Sequence, residues 1–340
     1  MAGFFAGEMR VSEKLAYVTP PMRIGTTEII DTYAEAFGVR YTRLIISAAN
    51  DFWLGAALRS ITGYGTSVIG CDAEAGIERH LSKDESPDGR PAAAVLLFGF
   101  TAETVGQAAQ HRVGQCILTC PTTACFSGLE GVADTYSLGK YLRYFGDGFE
   151  SQESRVKSQE PESGPRTARL AGSRLSTLDS RTLWYIPVMD GEFIIESKGG
   201  VTKGVAGGNI ILQADSPQSA LAAAQRATEA LAEQPGIITP FPGGVCRSGS
   251  KVGSKYKALV ASTAQAYCPT LRDRVETELV DGAQCAYEVV IDGVDQTAVA
   301  AAMRVAIEAV AEEGVLAIGA GNYGGKLGKY PIQLHALFGD

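Results

Sequence analysis

The sequence predicts an α/β (α+β) fold of two ferredoxin-like lobes, each built from two strand–helix–strand units. One pattern, an apolar run followed by a helical stretch and a second apolar or glycine-rich run, occurs four times along the 340 residues. The segments between these units look strand-like rather than helical, and a polar stretch separates the first two units from the last two. With 45% hydrophobic residues, the chain is long enough to fill two cores of ordinary domain size.

The first two units lie in the N-terminal half of the chain. Their apolar runs have the length of buried strands, and the stretches that follow have helical periodicity. In chain order, the predicted elements are a strand at 43–48, a helix at about 50–60 and a strand at 66–70, then a strand at 94–98, a helix that opens near Thr101 and a strand at 115–119.

The last two units have clear helix-start signals. After a strand at 209–213, Ser216 is placed to cap a helix whose first position is Pro217, and after a strand at 287–291, Asp295 caps the next helix. A final strand is expected at 316–319. The residues expected on the buried helix faces are Ala220, Leu221, Ala224, Ala227 and Leu231 in the first helix, and Val299, Ala302, Met303, Ala306 and Val310 in the second.

A continuous parallel sheet of the Rossmann type is the alternative fold. It would place helices between successive strands, whereas residues 184–188 and 193–196 look like two further strands. These segments favour a mostly antiparallel sheet.

A polar segment at 150–181 marks the expected boundary between the lobes. Apolar runs disappear there, and Ser, Glu, Gln, Arg and Pro dominate, as in a solvated loop. The predicted organisation is an N-terminal extension at 1–24, an N-terminal lobe at 25–149, the polar loop at 150–181 and a C-terminal lobe at 182–340.

Composition excludes several classes of protein. A net charge of −8 argues against a nucleic-acid partner, which would need a basic face. No run approaches the roughly 20 apolar residues of a membrane-spanning helix, and the first 23 residues lack the pattern of a signal peptide. The seven cysteines are an odd number in a long chain and are expected to be reduced thiols. We therefore expect a cytoplasmic protein.

Several short motifs resemble nucleotide-binding, metal-binding or nucleophile motifs, but their sequence context does not support these functions. Residues 319–324 fit G-x-G-x-x-G, but no helix pattern and no acidic residue about 20 positions on follow them, so a glycine-rich turn is expected. Residues 248–255 resemble a phosphate loop without its glycine spacing. The remaining candidates are three neighbouring cysteines without a C-x-x-C pair and three histidines without a nucleophile motif: Cys116, Cys120 and Cys125, and His80, His111 and His335.

A dozen unusual, glycine-rich blocks resemble one family when they are taken in order. The blocks are residues 31–37, 63–69, 73–77, 86–91, 113–116, 144–148, 191–193, 204–209, 240–244, 250–255, 266–270 and 321–328. From about residue 25 to residue 338, the chain is similar to formylmethanofuran–tetrahydromethanopterin formyltransferases. The N-terminal extension and the polar loop depart from the family pattern and interrupt none of the blocks.

The resemblance implies an acyltransferase of one-carbon metabolism. It implies methanofuran-type and tetrahydromethanopterin-type coenzymes as substrates, no bound metal or nucleotide cofactor, and two α/β lobes per subunit of a homotetramer. Such proteins act as free enzymes in methane-forming archaea or with hydrolase subunits in a complex of methylotrophic bacteria. The cysteine-containing stretch 116–125 looks more like the bacterial type.

Glu288 is the candidate catalytic residue. It interrupts an otherwise apolar strand, and a carboxyl group in apolar surroundings has a raised pKa that suits proton transfer near neutral pH. On residues alone, a carboxylate that points to solvent from a half-buried strand is the favoured interpretation. In the similar family, the glutamate of this Tyr-Glu position is the proposed catalytic carboxyl, which assigns catalysis to Glu288 and substrate binding to the adjacent Tyr287.

Two further groups of residues are candidates for substrate binding. Glycine-rich turns could bring backbone N–H groups close to ligand oxygens, although tight turning alone explains them equally well; they contain Phe241, Gly243 and Gly244, and Gly207, Gly208 and Asn209. Lys251 and Lys255, flanked by Arg247 and Lys257, form the densest basic stretch of an acidic protein. This stretch could clamp an acidic coenzyme tail or be a solvated loop.

Two other functions compete with formyl transfer. Hydrolysis of formylmethanofuran would need the metal-ligand motif of an amidohydrolase, which the sequence lacks. A scaffold subunit that binds coenzyme with little turnover is the non-enzymatic alternative.

Overall fold

The computed structural model describes residues 21–157 and 181–339. Within these ranges, fifteen strands form one large mixed sheet, and helices pack against it. The predicted N-terminal extension up to residue 20 and residues 158–180 of the predicted polar loop lie outside the described residues. None of the helices in the described ranges is long and apolar enough to cross a membrane.

The N-terminal half holds the first eight strands and four of the helices. They are β1 (Arg23–Ile24), β2 (Thr27–Ile29), β3 (Tyr33–Ser47), α1 (Asp51–Thr62), β4 (Glu74–Leu81), β5 (Ala92–Gly99), α2 (Ala102–Arg112), β6 (Ala124–Ser127), β7 (Asp134–Ser137), α3 (Gly139–Leu142), β8 (Glu150–Ser151) and α4 (Gln152–Lys157).

The C-terminal half holds the remaining seven strands and two long helices. They are β9 (Leu183–Val188), β10 (Gly191–Glu196), β11 (Lys198–Ala214), α5 (Pro217–Ala232), β12 (Ile237–Ile238), β13 (Cys285–Gly293), α6 (Gln296–Val310), β14 (Val315–Gly319) and β15 (Tyr330–Gln333). Between β12 and β13, a stretch of more than 40 residues forms turns and short 3₁₀ segments.

The two longest strands, β3 and β11, join the two halves. They pair antiparallel in the middle, from Thr202 opposite Tyr41 to Ala206 opposite Phe37. Towards its end β3 pairs with β5 and β6, and towards its end β11 pairs with β13 and β14. The C-terminal end of β3 is thus paired within the N-terminal half of the sheet, the C-terminal end of β11 is paired within the C-terminal half, and the two strands pair with each other between these ends.

The direction of the strands excludes the continuous parallel sheet. Among the described strands, only β6 with β10 and β2 with β14 pair in parallel. The strands predicted at 184–188 and 193–196 are present as the antiparallel hairpin of β9 and β10.

The helices begin where their capping residues predict. Thr101, Ser216 and Asp295 each accept a hydrogen bond from a backbone N–H of the first turn of α2, α5 and α6. Asn50 does the same for α1. Each cap gives one of the four unpaired N–H groups of a helix start an acceptor, which fixes the point where strand becomes helix.

Two predicted strands are wrong. Residues 66–70 form a turn in which the N–H groups of Gly70 and Cys71 both donate to the carbonyl of Ser67. Residues 115–119 continue the helix, since Val113–Ile117 is a short π-helix that follows α2 directly. In both segments the backbone hydrogen bonds are local and do not pair with another strand, and most of the residues are only partly buried or exposed.

Two hydrophobic cores flank the sheet. One packs α5 and α6 on β11, β13 and β14, and the other packs α1 and α2 on β3 and β5. The first core contains all predicted face residues except Leu221, which is 61% exposed; Ala223 is buried in its place. Ile29, Ala34 and Ala36 from the N-terminal half also belong to this core.

Candidate active site

A cavity of about 570 Å³ lies on the face of the sheet opposite α5 and α6. Strand alternation separates the two faces, because successive side chains of a strand point to opposite sides. On β13, Val289 and Ile291 pack into the helix-covered core, whereas Glu288 and Val290 line the cavity. Residues from both halves of the chain close its walls.

Glu288 is the buried acid of this cavity. Only 5% of the residue is exposed, and its two carboxyl oxygens accept hydrogen bonds from Ser250. The backbone N–H of Ser250 lies 2.5 Å from Oε2, and the Ser250 hydroxyl lies 2.7 Å from Oε1. Burial raises the pKa of Glu288, and the two bonds from Ser250 lower it by less, so the pKa lies above its ordinary value.

Tyr323 connects the Ser250 loop to the opposite wall of the cavity. Its hydroxyl donates to the carbonyl of Ser250 and accepts from the backbone N–H of Val252, both at 3.1 Å. Because these two bonds fix the backbone on both sides of Lys251, they also fix the donors that reach Glu288. Burial raises the pKa of Tyr323, which keeps its hydroxyl protonated and able to donate.

The glycine-rich segment at 319–328 encloses the carboxylate of a buried glutamate. Glu35, on β3, accepts four backbone N–H bonds, two at each oxygen, from Tyr323, Gly325, Leu327 and Gly328, at 2.5 to 2.8 Å. These bonds lower the pKa of Glu35 to about 2, against the opposing effect of its burial. The amides that a dinucleotide phosphate would need are thus already bonded to a carboxylate of the chain itself.

The predicted glycine-rich turns differ in what they contribute. Gly207 and Asn209 line the cavity, and the Asn209 side chain bonds to the backbone N–H and carbonyl of Gly321. Gly208 faces the helices, since a Cβ there would lie 2.2 Å from a methyl carbon of Val299. The N–H of Gly207 donates to Asp292 and is therefore engaged within the protein.

Phe241 lines the cavity, while the two glycines that follow it form the adjacent turn. Gly243 and Gly244 have φ values of 62° and 79°, which favour glycine. The N–H of Gly244 donates to the Phe241 carbonyl, and a Cβ at Gly244 would lie 2.5 Å from Thr228 on α5. The positive φ of the turn favours glycine at both positions, and close packing adds a second reason at Gly244 alone.

The two predicted lysines lie in different environments. Lys251 lines the cavity, and its amine lies 2.5 Å from the side-chain oxygen of Gln265. Lys255 lies outside the cavity lining, with its amine 5.6 Å from the ring centre of the exposed Tyr256. The structure therefore brings Lys251, Glu288 and the Ser250 loop together but leaves Lys255 apart from them.

Comparison with known proteins identifies the family of this chain. The profile of the family described as formylmethanofuran-tetrahydromethanopterin formyltransferase matches residues 22–160, and a second profile, for its proximal lobe, matches residues 191–337. Formyltransferases of this name from Methylobacillus flagellatus and Methanosarcina mazei are 46% and 45% identical to the chain. Each alignment covers 93% of this chain, and 99% and 100% of the respective relative.

The chain belongs to the formylmethanofuran–tetrahydromethanopterin formyltransferase family.

Two solved structures of the family have the same fold. The formyltransferase from Methanosarcina barkeri is 42% identical and superposes with a TM-score of 0.81, covering 93% of this chain and all of the other. A chain of the formyltransferase/hydrolase complex from Methylorubrum extorquens, solved with methylofuran, is 41% identical and superposes with a TM-score of 0.82, covering 94% of this chain and 99% of the other.

Tyr287 lies on the other face of the sheet from the cavity of this formyltransferase. Its side chain is half-buried and packs against the core that α5 and α6 cover, as strand alternation requires for the neighbour of Glu288. A role for Tyr287 in substrate binding stays a prediction. In the parts of the chain that the structure describes, no three His, Cys, Asp or Glu side chains are grouped to hold a metal, and all seven cysteines are free thiols.

Sequence reasoning missed the residues that position Glu288. Ser250, Tyr323 and Glu35 come from three segments that are far apart in the chain, and none of them is unusual where it stands. Each lies inside a block on which the resemblance to the formyltransferase family rests. That three such blocks converge on one cavity could be learned only from the fold.

Proposed function

We propose that this chain transfers a formyl group between N-formylmethanofuran, or a methanofuran analogue, and N5 of a tetrahydromethanopterin. Membership of the formyltransferase family supports the reaction, and the buried carboxyl of Glu288 in the cavity is the observation that supports its mechanism.

The reaction exchanges one amide-type bond for another. The pterin amine attacks the formyl carbon and forms a new C–N bond, the bond to the methanofuran nitrogen breaks, and one proton must move from the attacking to the leaving nitrogen. A carboxyl group whose pKa is raised by burial can accept that proton and return it. We assign this role to Glu288, with Ser250 holding its carboxyl in one orientation.

Replacing Glu288 with glutamine tests this assignment. Gln keeps the size and the hydrogen bonds of the side chain but does not titrate, so kcat should fall by roughly 10²–10⁴, while KM changes little. The measurement is formyl transfer by the purified chain with both coenzymes. A variant that keeps more than half of the wild-type kcat would show that orientation of the substrates alone drives transfer.

The same formyl-transfer assay distinguishes an active enzyme from a scaffold subunit that only binds the coenzymes. If the wild-type chain binds the coenzymes with no turnover, the scaffold function replaces the enzymatic one. Release of formate without a pterin acceptor would instead identify a hydrolase.

Lys251 is proposed to bind the acidic tail of a coenzyme. Its amine lies at the cavity, and replacing it with Met should raise KM for one coenzyme, with a smaller effect at high salt because salt screens an ion pair at a solvent-accessible site. Lys255→Met serves as the matched control, because Lys255 lies outside the cavity lining and should leave both KM values nearly unchanged. Equal KM values for wild type and Lys251→Met would return Lys251 to the solvated-loop interpretation.

The finer architecture and the assembly are also proposals. The repeated strand–helix–strand units support two ferredoxin-like lobes at 25–149 and 182–340, and superposing one lobe on the other tests this. Resemblance to the family supports a homotetramer in the cytoplasm, with hydrolase subunits as possible partners since one similar chain comes from a formyltransferase/hydrolase complex. Mass measurement of the purified chain, alone and with such subunits, distinguishes these assemblies.

A further inference from the structure

A pair of acidic side chains, Glu74 and Asp292, lies at the edge of the cavity, away from Glu288. Glu74 is the first residue of β4, and Asp292 lies four residues beyond Glu288 on β13, roughly 13 Å along the strand. Both are buried, with Asp292 fully enclosed, and their carboxyl groups lie next to each other. The proposed transfer of the formyl group does not use either of them.

Each carboxyl also accepts a backbone N–H from a different wall of the cavity. The N–H of Val68 lies 3.1 Å from Glu74 Oε1, and the N–H of Gly207 lies 2.9 Å from Asp292 Oδ1. Val68 belongs to the turn at 67–72, and Gly207 lies where the pairing of β11 with β13 is irregular. Both residues line the cavity, so the acidic pair connects two of its walls.

The two halves of the chain meet closely at this point. A Cβ at Gly76 on β4 would lie 2.6 Å from Cβ of Ile238 on β12, and Ile238 pairs with Asp292. β4 therefore packs closely against β12 at this point, where a side chain larger than glycine would clash with Ile238. Glu74 and Asp292 lie next to each other in this buried junction.

The second oxygen of Asp292 has no N–H or O–H donor among the described residues. Two ionised carboxylates offer only acceptors, so a hydrogen bond between Glu74 and Asp292 needs a proton on one of them. Ile238 faces the pair from β12, and the thiol of Cys71 is the titratable group beside Glu74. Burial, together with repulsion from Glu74, raises the pKa of Asp292 well above the ordinary carboxyl range, and burial raises the pKa of Glu74.

We propose that Glu74 and Asp292 share one proton at neutral pH and act as positioning residues that hold the Val68 wall of the cavity against the Gly207 wall. With the proton present, the pair carries one negative charge and makes every hydrogen bond described above. Loss of the proton to solvent would leave two negative charges in contact in a buried junction, which pushes β4 and β13 apart. This inference concerns the cavity walls and does not depend on which reaction the cavity performs.

The sign of the pH effect on stability follows from the raised pKa. The folded chain keeps a proton that the unfolded chain releases near the ordinary carboxyl pKa of about 4. Stability therefore falls as pH rises from about 4 through the raised pKa of the pair, and it is constant above that value. A mutation that removes the shared proton should also remove this contribution to the pH dependence of the free energy of unfolding.

Infrared spectroscopy of Glu74→Gln and Asp292→Asn tests the shared proton directly. Each amide keeps the oxygen that accepts the backbone N–H and supplies an N–H to the remaining carboxylate, so charge and contacts match those of the protonated pair. Wild type at pH 7 should show the C=O band of a protonated carboxyl group that each variant lacks. The matched control is Glu288→Gln, which changes another buried carboxyl group and should leave that band in place.

Thermal unfolding provides a second measurement. Between pH 5 and pH 8 the melting temperature of wild type should fall more than that of either single variant. A wild-type spectrum without a protonated carboxyl band, or a band that persists in both single variants, would overturn the proposal. Because the wild-type band can itself be titrated with pH, the proposal remains testable even if a variant folds poorly.

Formyl transfer supplies a third measurement, which rests on the proposed function. KM of both single variants should rise less between neutral and alkaline pH than KM of wild type does. A chain with no formyl transfer at all contradicts the proposed function and leaves the spectroscopic test unaffected.

Discussion

Two opposing effects set the pKa of Glu288: burial raises it, and the hydrogen bonds from Ser250 lower it. The apolar strand and the packed cavity wall disfavour the charged carboxylate, while the N–H and hydroxyl of Ser250 favour it. Burial dominates, so the pKa is raised, but the hydroxyl keeps it from rising further. A residue that never touches the formyl group can therefore tune the pH at which transfer is fastest.

Replacing Ser250 with Ala should move the pH profile in a defined direction. The hydroxyl donates to Oε1 at 2.7 Å, and losing a bond that favours the charged form raises the pKa of Glu288. The limb of kcat/KM that reports Glu288 should move upward by about 1 pH unit, the size expected for one hydrogen bond to a charged group.

Ser248→Ala is the matched control for this change. Its hydroxyl bonds to Cys246 and to the carbonyl of Gly249 and has no contact with Glu288. The profile of Ser248→Ala should therefore overlay that of wild type. If Ser250→Ala also left the limb in place, the limb would report another group.

At the level of single residues, the sequence signal was clearest where one side chain was out of place in its own strand. Glu288 was identifiable because an acid interrupts an apolar run, and burial within the cavity agrees with that signal. Tyr287 shows the limit, since adjacency in a strand means opposite faces. Glu74 and Asp292 gave no signal, because their contact spans more than 200 positions of the chain.

At the scale of elements, the segment at 319–328 depends on Glu35 for its shape. Four N–H groups converge on one carboxylate, and the segment in turn places the hydroxyl of Tyr323 against the Ser250 loop. Glycine at 324 and 325, with φ of 69° and 73°, allows the backbone to curl around the acid. The segment is thus a glycine-rich turn, as its sequence context indicated, with an internal anion at its centre.

Replacing Glu35 with Gln should destabilise the chain by about 2 kcal/mol or more. The amide nitrogen of Gln cannot accept, so two buried N–H groups lose their partner, and each such loss costs about 1–3 kcal/mol. Urea unfolding measures the effect. Glu28→Gln on β2 is the control; it breaks an exposed pair with Arg23 and should cost at most about 1 kcal/mol.

The acid dependence of the same variant gives an independent check. The pKa of Glu35 is lowered to about 2, so its contribution to stability is complete above the ordinary carboxyl pKa and is lost as pH falls through about 2. Wild type should therefore lose stability more steeply below pH 4 than Glu35→Gln does. Equal slopes, or equal urea midpoints for the Glu35 and Glu28 variants, would show that the four bonds contribute little.

Element prediction was most accurate where local chemistry decides. Caps at Thr101, Ser216 and Asp295 act within one turn, and the helices begin where these residues stand. The prediction of a strand at 115–119 was wrong, because a short apolar run has no periodicity by which a strand can be distinguished from the end of a helix. The prediction that Leu221 lies on the buried face of α5 was also wrong. That face consists mainly of alanines, which allow close packing against the sheet.

For the whole molecule, the two cores are not independent. Ile29, Ala34 and Ala36 of the N-terminal half fill the core under α5 and α6, and β3 continues from that core into the other. Neither half could be removed without exposing apolar surface of the other. Sequence patterns could predict two groups of elements, but not that one strand would belong to both, because strand pairing between distant segments leaves no local trace.

This interlocking predicts a single unfolding transition. Amides of α1 and α6 lie in different cores, and native-state hydrogen exchange should give the same free energy of opening for their slowest members. The measurement compares exchange rates of the two helices at increasing denaturant. Opening of α1 at markedly lower denaturant would show that the halves unfold separately, as two lobes with their own stability.

The order in which the chain is synthesised adds a consequence of the pairing between β2 and β14. Thr27 bonds through its hydroxyl to the carbonyl of Val315, across 288 residues. At about 5–20 residues per second, a ribosome needs roughly 15–60 s to make the segment between them. Throughout that time the first two strands have an unpaired edge and an apolar face without its core. Early translation products of this chain are therefore exposed to aggregation, and a chaperone that shields the nascent N-terminal strands would raise the yield of folded protein.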